Sequence, residues 1–172
     1  APEDRFRYRS RAQLREQAPE LVMPELEKWV KSLDKSAPDY EHNLLEALWI
    51  YQDFEIPKPE LLGQLLSAKD YRARTAATKV LLNWKNRIPE SLGLMSKQVN
   101  DESPRVRLEA IIALSHFEGE KAVAIAGDVL KYPTDYYLDY AISETFGYLK
   151  PAWLYAFKKD SDFLSTNSVA AS

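Results

Sequence analysis

With 172 residues, the chain is long enough to bury the core of one domain, and 45% hydrophobic with 28% charged residues is the balance of an ordinary globular protein. A formal net charge of −3 argues against a nucleic-acid-binding surface, because such a surface needs a cationic face to displace counterions from phosphate. The absence of cysteine excludes disulfides, thiolate metal sites, cysteine nucleophiles and covalent haem attachment within these residues.

Glycine is scarce, with 5 residues, and proline is commoner, with 10, which favours helices joined by proline-containing turns over a β-rich fold. No apolar run approaches the length that spans a membrane, so we expect no direct membrane insertion. The opening "APEDRFRYRSRAQLRE" lacks the apolar core of a signal peptide and an initiator Met, which suggests a processed chain or a fragment.

The first predicted element is a charged helix within residues 1–18, with Phe6, Tyr8 and Leu14 as its apolar contacts. We interpret it as a cap or lead-in to a repeat domain at residues 19–159. The small, polar residues 160–172 are typical of a linker or tail.

Four similar blocks recur between these ends, and each is centred on an alanine. They are "YEHNLLEALWIYQDF", "YRARTAATKVLLNWK", "PRVRLEAIIALSHFE" and "DYYLDYAISETFGYL", with the alanines Ala47, Ala77, Ala110 and Ala141 spaced 30, 33 and 31 residues apart. Each alanine is followed, seven residues later, by an aromatic residue: Phe54, Trp84, Phe117 and Tyr148. Such self-similarity at a fixed period predicts a repeat architecture.

A second set of apolar-periodic stretches alternates with the alanine blocks. They are "PELVMPELEKWVKSL", "PKPELLGQLLSA", "PESLGLMSKQV" and "EKAVAIAGDVLKY", and a final "PAWLYAFKK" begins another helix or caps the stack. Their spacing is helical. Alternating helices at a period near 32 predict an all-α, right-handed α-solenoid of about four to five helix pairs.

The stretch "DESPRVRLEAIIAL" predicts how a helix of these blocks begins. Asp101 or Ser103 is placed to accept hydrogen bonds from free backbone N–H groups. Pro104 suits the first turn, where its missing N–H costs nothing. Val106, Ala110, Ala113, Leu114 and Phe117 then form the predicted buried stripe, and Asp39, Asp70 and the pair Thr134–Asp135 hold similar starting positions elsewhere.

Histidines and carboxylates offer little chemistry. His42 beside Glu41 suggests an acid–base pair or a metal ligand, but adjacent helical positions point in different directions, and His116 has no partner at a matching spacing. Glu41 and Glu46 are five residues apart and do not share a helix face, so glycosidase geometry is not suggested. We therefore predict no catalytic residue, no metal and no cofactor in this chain.

Two sets of residues are candidates for contact with a partner. Arg72, Arg74, Arg105 and Arg107 occupy equivalent positions of two blocks; they suggest either an anion or partner site, or ion pairs between repeats, with Arg107 reaching Asp70 or Asp101. The stretch "YPTDYYLDY" from Tyr132 to Tyr140 suits either a protein interface or a cap packed by the last helix.

The blocks resemble HEAT repeats, whose pattern of Asp, Pro, Val-Arg and spaced alanines is matched by "DESPRVRLEAIIAL". In order, "YEHNLLEALWIYQDF", "AKDYRARTAATKVLLNWKNRIP", "NDESPRVRLEAIIALSHF" and "PTDYYLDYAISETFGYLKPAW" resemble the HEAT region of PVC-type haem-binding CxxCH proteins, or putative membrane-bound dehydrogenases. That resemblance implies an exported, periplasmic or extracytoplasmic redox protein, in which a HEAT segment lies between a dehydrogenase-like propeller and a c-type cytochrome domain. This chain has neither a propeller nor a CxxCH motif, so only the scaffold role carries over.

We therefore expect a non-enzymatic scaffold that binds a protein partner or flanking domains of the same chain, and not nucleic acid. The expected interaction surface comprises His42, Arg72, Arg105, Tyr136 and Tyr137, near the starts of the second helices. The alternative is a HEAT-like domain that binds nucleic acid or acts as a DNA glycosylase or a bilin lyase, which the four arginines favour and the acidic balance opposes.

Overall fold

The computed structural model describes residues 4–160, and all regular secondary structure in that range is helical. The α-helices are α1 (Asp4–Arg15), α2 (Pro19–Ser32), α3 (Tyr40–Asp53), α4 (Pro59–Leu66), α5 (Tyr71–Asn83), α6 (Ser91–Val99), α7 (Pro104–Leu114), α8 (Glu120–Gly127), α9 (Tyr136–Tyr148) and α10 (Lys150–Lys159), with a 3₁₀ helix at Asp128–Lys131 after α8. This confirms the predicted all-α class. The number of repeats and the right-handed sense of the stack stay predictions.

Prolines and a few acidic caps set the helix starts. Pro19, Pro59 and Pro104 each open a helix, where their fixed φ is already helical. Asp70 caps α5 by accepting from the N–H of Arg72, and Asp135 caps α9 by accepting from the N–H of Leu138.

The cap predicted for α7 is wrong. Ser103 precedes α7 without a side-chain cap, and Asp101 accepts from the N–H of Ser103, outside the helix, at 2.8 Å. Asp39 holds the predicted position directly before α3, also without a side-chain cap. Gly119, which precedes α8, has φ of +86°, a conformation that glycine adopts without strain.

The helices pack in two layers. The odd-numbered helices form one layer, in which α1 packs on α3, α3 on α5, α5 on α7 and α7 on α9. Each even-numbered helix from α2 to α8 packs on the odd helix that follows it, and α8 also packs on both α6 and α10. The helix pairs are therefore α2–α3, α4–α5, α6–α7 and α8–α9, with α1 before the first pair and α10 after the last.

The repeating alanines lie at the centre of this packing. Ala47, Ala77 and Ala110 are fully buried and Ala141 is 6% exposed, so the small side chain lets neighbouring helices approach closely at each level. The aromatic residues seven positions later are less uniform. Trp84 is buried, Phe54 and Phe117 are half-buried against the core, and Tyr148 is exposed because no further repeat covers it among the described residues.

Buried polar groups join successive levels. Arg74 on α5 reaches the loop before α7, where its Nε and Nη2 donate to the Asp101 carboxylate at 2.7 and 2.9 Å. Its Nη1 donates to the carbonyl oxygens of Ala68 and Lys69. The hydrogen bond and the charge of Asp101 raise the pKa of Arg74 above its ordinary value. The inter-repeat ion pair predicted for the arginines therefore exists, but Arg74 makes it.

The prediction that Arg107 pairs with Asp70 or with the carboxylate of Asp101 is wrong. Its Nη1 donates to the main-chain carbonyls of Asp101 and Glu102 at 2.9 and 3.0 Å, and its guanidinium stacks on the Tyr132 ring at 4.8 Å. Both arginines therefore fasten loops to helices.

The two predicted end segments are described to different extents. The predicted lead-in at residues 1–18 contains α1, and of the predicted tail at 160–172 only Asp160, which follows α10, is described. Across residues 4–160, every helix is too short or too polar to cross a bilayer.

Candidate interaction surface

The five residues predicted for contact lie in a row on the odd layer. His42 is the third residue of α3, Arg72 and Arg105 are the second residues of α5 and α7, and Tyr136 and Tyr137 open α9. The side chain of His42 is 44% exposed and the other four residues are exposed. Because α3, α5, α7 and α9 pack in succession, the five residues are distributed over four neighbouring helices of the odd layer.

Only the two outward-pointing members of the arginine set are available to a partner. Arg72 lies 3.7 Å from Asp70 with a side chain that is 78% exposed, and Arg105 is also exposed. Arg74 and Arg107 are 7% and 5% exposed, and each donates hydrogen bonds to loop carbonyl oxygens. Only two of the four arginines that favour the nucleic-acid alternative are therefore accessible to a ligand.

An apolar groove runs between α7 and α9, beside the predicted row. We call it the tyrosine groove, and it has a volume of about 280 Å³. Its main lining residues are Leu108, Ile112, Tyr137, Tyr140, Glu144 and Tyr148. Tyr137, Tyr140 and Tyr148 are 67%, 64% and 70% exposed, which is unusual for side chains of this size on one helix.

Tyr136 extends the aromatic surface at the start of α9. It is 79% exposed, and its ring meets that of Tyr137 edge-on at 5.6 Å between centroids. Tyr132, by contrast, is taken into the fold, where its hydroxyl donates to Asn100 and its ring supports Arg107. The tyrosine-rich stretch therefore divides into one structural tyrosine and a cluster of exposed ones.

An ion pair crosses the same face between α5 and α7. Lys79 Nζ lies 3.3 Å from an oxygen of Glu109, whose side chain is only 15% exposed. Burial raises the pKa of Glu109, and the charge and hydrogen bond of Lys79 oppose that rise. The pair is a local electrostatic feature of the odd layer that the sequence did not single out.

The sequence also did not indicate the main charge cluster, which lies between α1 and α3. Glu46 is 8% exposed, and its carboxylate is held by Arg7 at 3.1 Å and by Arg11. His42 Nε2 lies 3.4 Å from the same carboxylate, so the partner of His42 is Glu46 and not Glu41. The signal that could have found this pair is the i, i+4 spacing of His42 and Glu46.

Glu41 binds the backbone of a loop and not His42. Its two carboxylate oxygens accept from the backbone N–H groups of Lys69 and Asp70 at 2.7 and 2.9 Å, so it fastens the loop before α5. His116 is exposed after the end of α7, and its carbonyl accepts from Lys85. Within residues 4–160, no three His, Asp or Glu side chains converge in a way that could hold a metal ion.

A comparison with protein-family models identifies the family of this chain. The model for HEAT repeats matches residues 58–145, which is half of the chain and spans α4 to most of α9. The chain belongs to the HEAT-repeat family. Comparisons with curated proteins and with solved structures found no match.

HEAT repeats are in general scaffold or protein-interaction modules. In this HEAT-repeat chain, the matched region contains Arg72, Arg105, Tyr136 and Tyr137, together with most of the tyrosine groove. His42, on α3, precedes it.

Proposed function

We propose that this chain is a non-enzymatic scaffold that binds a protein partner through the odd-layer surface around the tyrosine groove. The observation that carries the proposal is the concentration of exposed tyrosines and Ile112 along one groove. Tyrosine supplies a large apolar contact together with a hydroxyl that can form hydrogen bonds, and it is enriched at protein interfaces.

The shape of the groove suits an extended segment or a helix of a partner. Leu108 and Ile112 on α7 form one wall, and Tyr140 and Tyr148 on α9 form the other. Tyrosine is one of the residue types that most often supply the binding energy when a partner removes them from water. Arg105 adds an exposed positive charge at the start of α7, the helix that carries Leu108 and Ile112.

A second part of the proposal concerns the larger protein to which this chain belongs. We infer that the chain separates a dehydrogenase-like propeller from a c-type cytochrome domain in an exported redox protein of the periplasm. The support is the resemblance of four consecutive blocks, stated above, and the mechanism is geometric. Stacked helix pairs limit the distance between flanking domains better than a flexible linker would.

Reading the complete gene tests this context. We expect a propeller to be encoded before the segment and a CxxCH motif after it. A reading frame without both would remove the redox context, while the scaffold role would still depend on the surface itself.

Site-specific photo-crosslinking in the native host tests the surface. We would replace Tyr140 with benzoylphenylalanine and compare it with the same replacement at Tyr155, because both tyrosines are 64% exposed but Tyr155 lies on α10 in the even layer. The expected result is a defined adduct from position 140 and a much weaker one from position 155.

The identity of the adduct completes the test. A partner domain or protein whose adduct disappears when Ile112 is changed to Glu supports the proposal. Equal adducts from positions 140 and 155, or adducts insensitive to Ile112→Glu, would contradict it.

A further inference from the structure

The two ends of the odd layer carry opposite charges. The first helix, α1, contains five arginines and one aspartate, whereas α9 contains Asp139 and Glu144 and neither lysine nor arginine. Within residues 4–160, α1 packs on α3 and α9 packs on α7, so each of these helices has one odd-layer neighbour instead of two. One side of each helix is therefore left without an odd-layer partner.

The side of α1 that faces away from α3 is basic. Arg7 and Arg11 point towards α3, where both bind the carboxylate of Glu46. Arg9 lies about 200° around the helix from each of them and so points away from α3, and Arg5 is one turn before Arg9. Both Arg5 and Arg9 are exposed, and neither has an ion-pair partner in the part of the chain that the structure describes.

The side of α9 that faces away from α7 carries a carboxylate. Thr145 marks the side towards α7, because its hydroxyl donates to the main-chain carbonyl of Ile111 at 2.9 Å. Ser143 lies about 200° around the helix from Thr145, and Asp139 is one turn before Ser143. Both are exposed, neither lines the tyrosine groove, and Asp139 forms no ion pair with any described residue.

This side of α9 has the form of a surface on which a helix can pack. It consists of four exposed residues at spacings of three and four, namely Tyr136, Asp139, Ser143 and Gly147. The small side chain of Ser143 and the absence of one at Gly147 let a neighbouring helix approach closely. A Cβ atom built at Gly147 would meet no atom within 4 Å, so the space in front of it is open.

We propose that the chain associates head to tail with a second copy of itself, by packing α1 of one copy on the outer side of α9 of the next. Charge complementarity identifies the occupant, because the unpaired arginines and the unpaired carboxylate lie at opposite ends of the same layer. The two helices also match in length, with 12 residues in α1 and 13 in α9. The contact continues the odd layer from one copy into the next.

The register of this contact follows from the way in which α1 already packs on α3. Arg11 binds Glu46 and the later Arg15 lies beside the later Asp53, so the two helices run in the same direction. With α1 and α9 also parallel, Asp139, the fourth residue of α9, comes level with the interval between Arg5 and Arg9, the second and sixth residues of α1. A carboxylate between two guanidinium groups forms charge-assisted hydrogen bonds.

The aromatic residues at the two helix starts support the same contact. Tyr136, the first residue of α9, is 79% exposed, and Phe6, the third residue of α1, is 53% exposed. In the parallel register, Tyr136 comes level with Arg5, whose guanidinium can lie over its ring. The contact is only one helix wide and depends on charge, so we expect a weak association that salt reverses.

The contact joins two different surfaces, and this determines how the assembly grows. Each added copy leaves one free α1 and one free α9, so association continues beyond a dimer instead of closing at two copies. None of the four residues of the α9 stripe lines the tyrosine groove, so this inference does not depend on the function proposed for that groove.

Analytical ultracentrifugation of the full chain over a range of concentrations tests the proposal. We expect a weight-average mass that rises past that of a dimer at low ionic strength. It should fall back to the monomer in about 1 M salt, where the Debye length is about 3 Å. Arg9→Glu and Asp139→Lys should each weaken the association about tenfold or more, because each places like charges together. The double variant, which reverses the pair, should restore it.

Two control variants separate this contact from other effects. Arg105→Glu makes the same change of net charge at an exposed site on α7, in the middle of the layer, and Ile112→Glu changes the tyrosine groove. Both should associate as the wild type does. Because Arg9 and Asp139 are exposed, their variants should fold normally, and circular dichroism checks this.

Four results would overturn the proposal. The first is a chain that stays monomeric at every concentration in low salt, and the second is an assembly that stops at a dimer, which would indicate an isologous contact. The third is a double variant that associates no better than the single variants. The last is an equal loss of association in Arg105→Glu, since net charge and not the end-to-end contact would then be responsible.

Discussion

Arg74 and Arg107 stand at the same distance before their repeat alanines, yet each guanidinium meets different groups. Arg74 binds the Asp101 carboxylate of the next level in a two-pronged contact, whereas Arg107 binds main-chain oxygens and stacks on Tyr132. In both cases the planar group satisfies several acceptors at once, which a lysine could not do. Repeat symmetry therefore fixes where the arginine lies, while the local loop determines its partners.

Arg74→Ala should strongly destabilise the protein. The substitution leaves the Asp101 carboxylate, which is only 10% exposed, without its main partner, together with two loop carbonyls. Loss of one member of a buried pair costs about 3 kcal/mol of unfolding free energy. Urea denaturation followed by circular dichroism measures this loss.

Arg72→Ala is the matched control for that experiment. It lies two residues away on the same helix with a side chain that is 78% exposed, so its effect should stay within about 0.5 kcal/mol. Equal losses in the two variants would show that the buried contact of Arg74 is not what stabilises the loop.

Glu109→Gln should change how stability depends on pH. Burial raises the pKa of Glu109 in the folded chain above its ordinary value of 4.5, despite the opposing charge of Lys79. The group therefore favours folding while it is protonated, at low pH, and this contribution is lost as the pH rises through the raised pKa. Relative to the wild type, the Gln variant should gain stability as the pH rises from about 4.5 towards 7.

Urea titrations at a series of pH values between 4 and 7 would measure the difference. A difference that stays constant over this range, or one that decreases as the pH rises, would contradict the assignment to Glu109.

At the scale of elements, α1 differs from every other odd helix. None of its described side chains is fully buried, and Leu14 is its main apolar contact with the core. Arg7 and Arg11 bind Glu46, Arg11 also stacks on Trp49 at 4.7 Å, and Arg15 lies 3.7 Å from Asp53. The attachment of α1 is therefore largely electrostatic.

Glu46→Gln should release α1 locally while the rest of the stack stays folded. The loss of charge-assisted hydrogen bonds to two arginines should speed amide hydrogen exchange in α1 by about tenfold or more. Hydrogen exchange followed by mass spectrometry resolves α1 from α5 and α7, where exchange should not change.

Glu55→Gln provides the control, because Glu55 pairs with Arg87 at an exposed site. Its exchange pattern should match that of the wild type. If Glu46→Gln speeds exchange equally in α5 and α7, then α1 is not an independent element.

The helices and their buried alanines were predictable because both follow from short-range periodicity. Val106, Ala110, Ala113 and Leu114 were assigned to a buried stripe from their spacing, and the structure places all four in the core. The contact of α1 with Glu46 was not predictable, since it joins residues 35 positions apart and α1 has no continuous apolar stripe. The four arginines were treated as one set, although residues two apart on a helix point in different directions.

The candidate surface was predictable only in part. The exposed row from His42 to Tyr137 follows from equivalent repeat positions, and it lies on one layer as expected. The tyrosine groove additionally requires Ile112 and Leu108 of α7 to face Tyr140 and Tyr148 of α9, which depends on how the two helices pack. The sequence pattern alone does not determine that alignment.

At the scale of the whole molecule, each level contacts mainly its immediate neighbours. The odd layer runs α1, α3, α5, α7 and α9, and packing within it joins successive helices. In such a stack, stability is close to a sum of repeat terms and nearest-neighbour interface terms. A local defect should therefore spread over one or two levels rather than through the whole chain.

Leu138→Ala should destabilise only the levels nearest to α9. Leu138 on α9 is 1% exposed, and its truncation should cost about 2–4 kcal/mol locally. Hydrogen exchange should then speed up in α8, α9 and α10 and remain at the wild-type rate in α3 and α4, because the interfaces between α3 and α7 stay intact.

Leu48→Ala is the mirror variant at the other end of the stack. Leu48 on α3 is fully buried, so its truncation removes a similar volume but should speed exchange in α1 to α4 and leave α9 unchanged. The pair of variants separates two physical pictures. Opposite patterns mean that nearest-neighbour packing governs stability, whereas uniform acceleration in both variants would mean that the chain unfolds as a single cooperative unit and that its repeats do not act as separate levels.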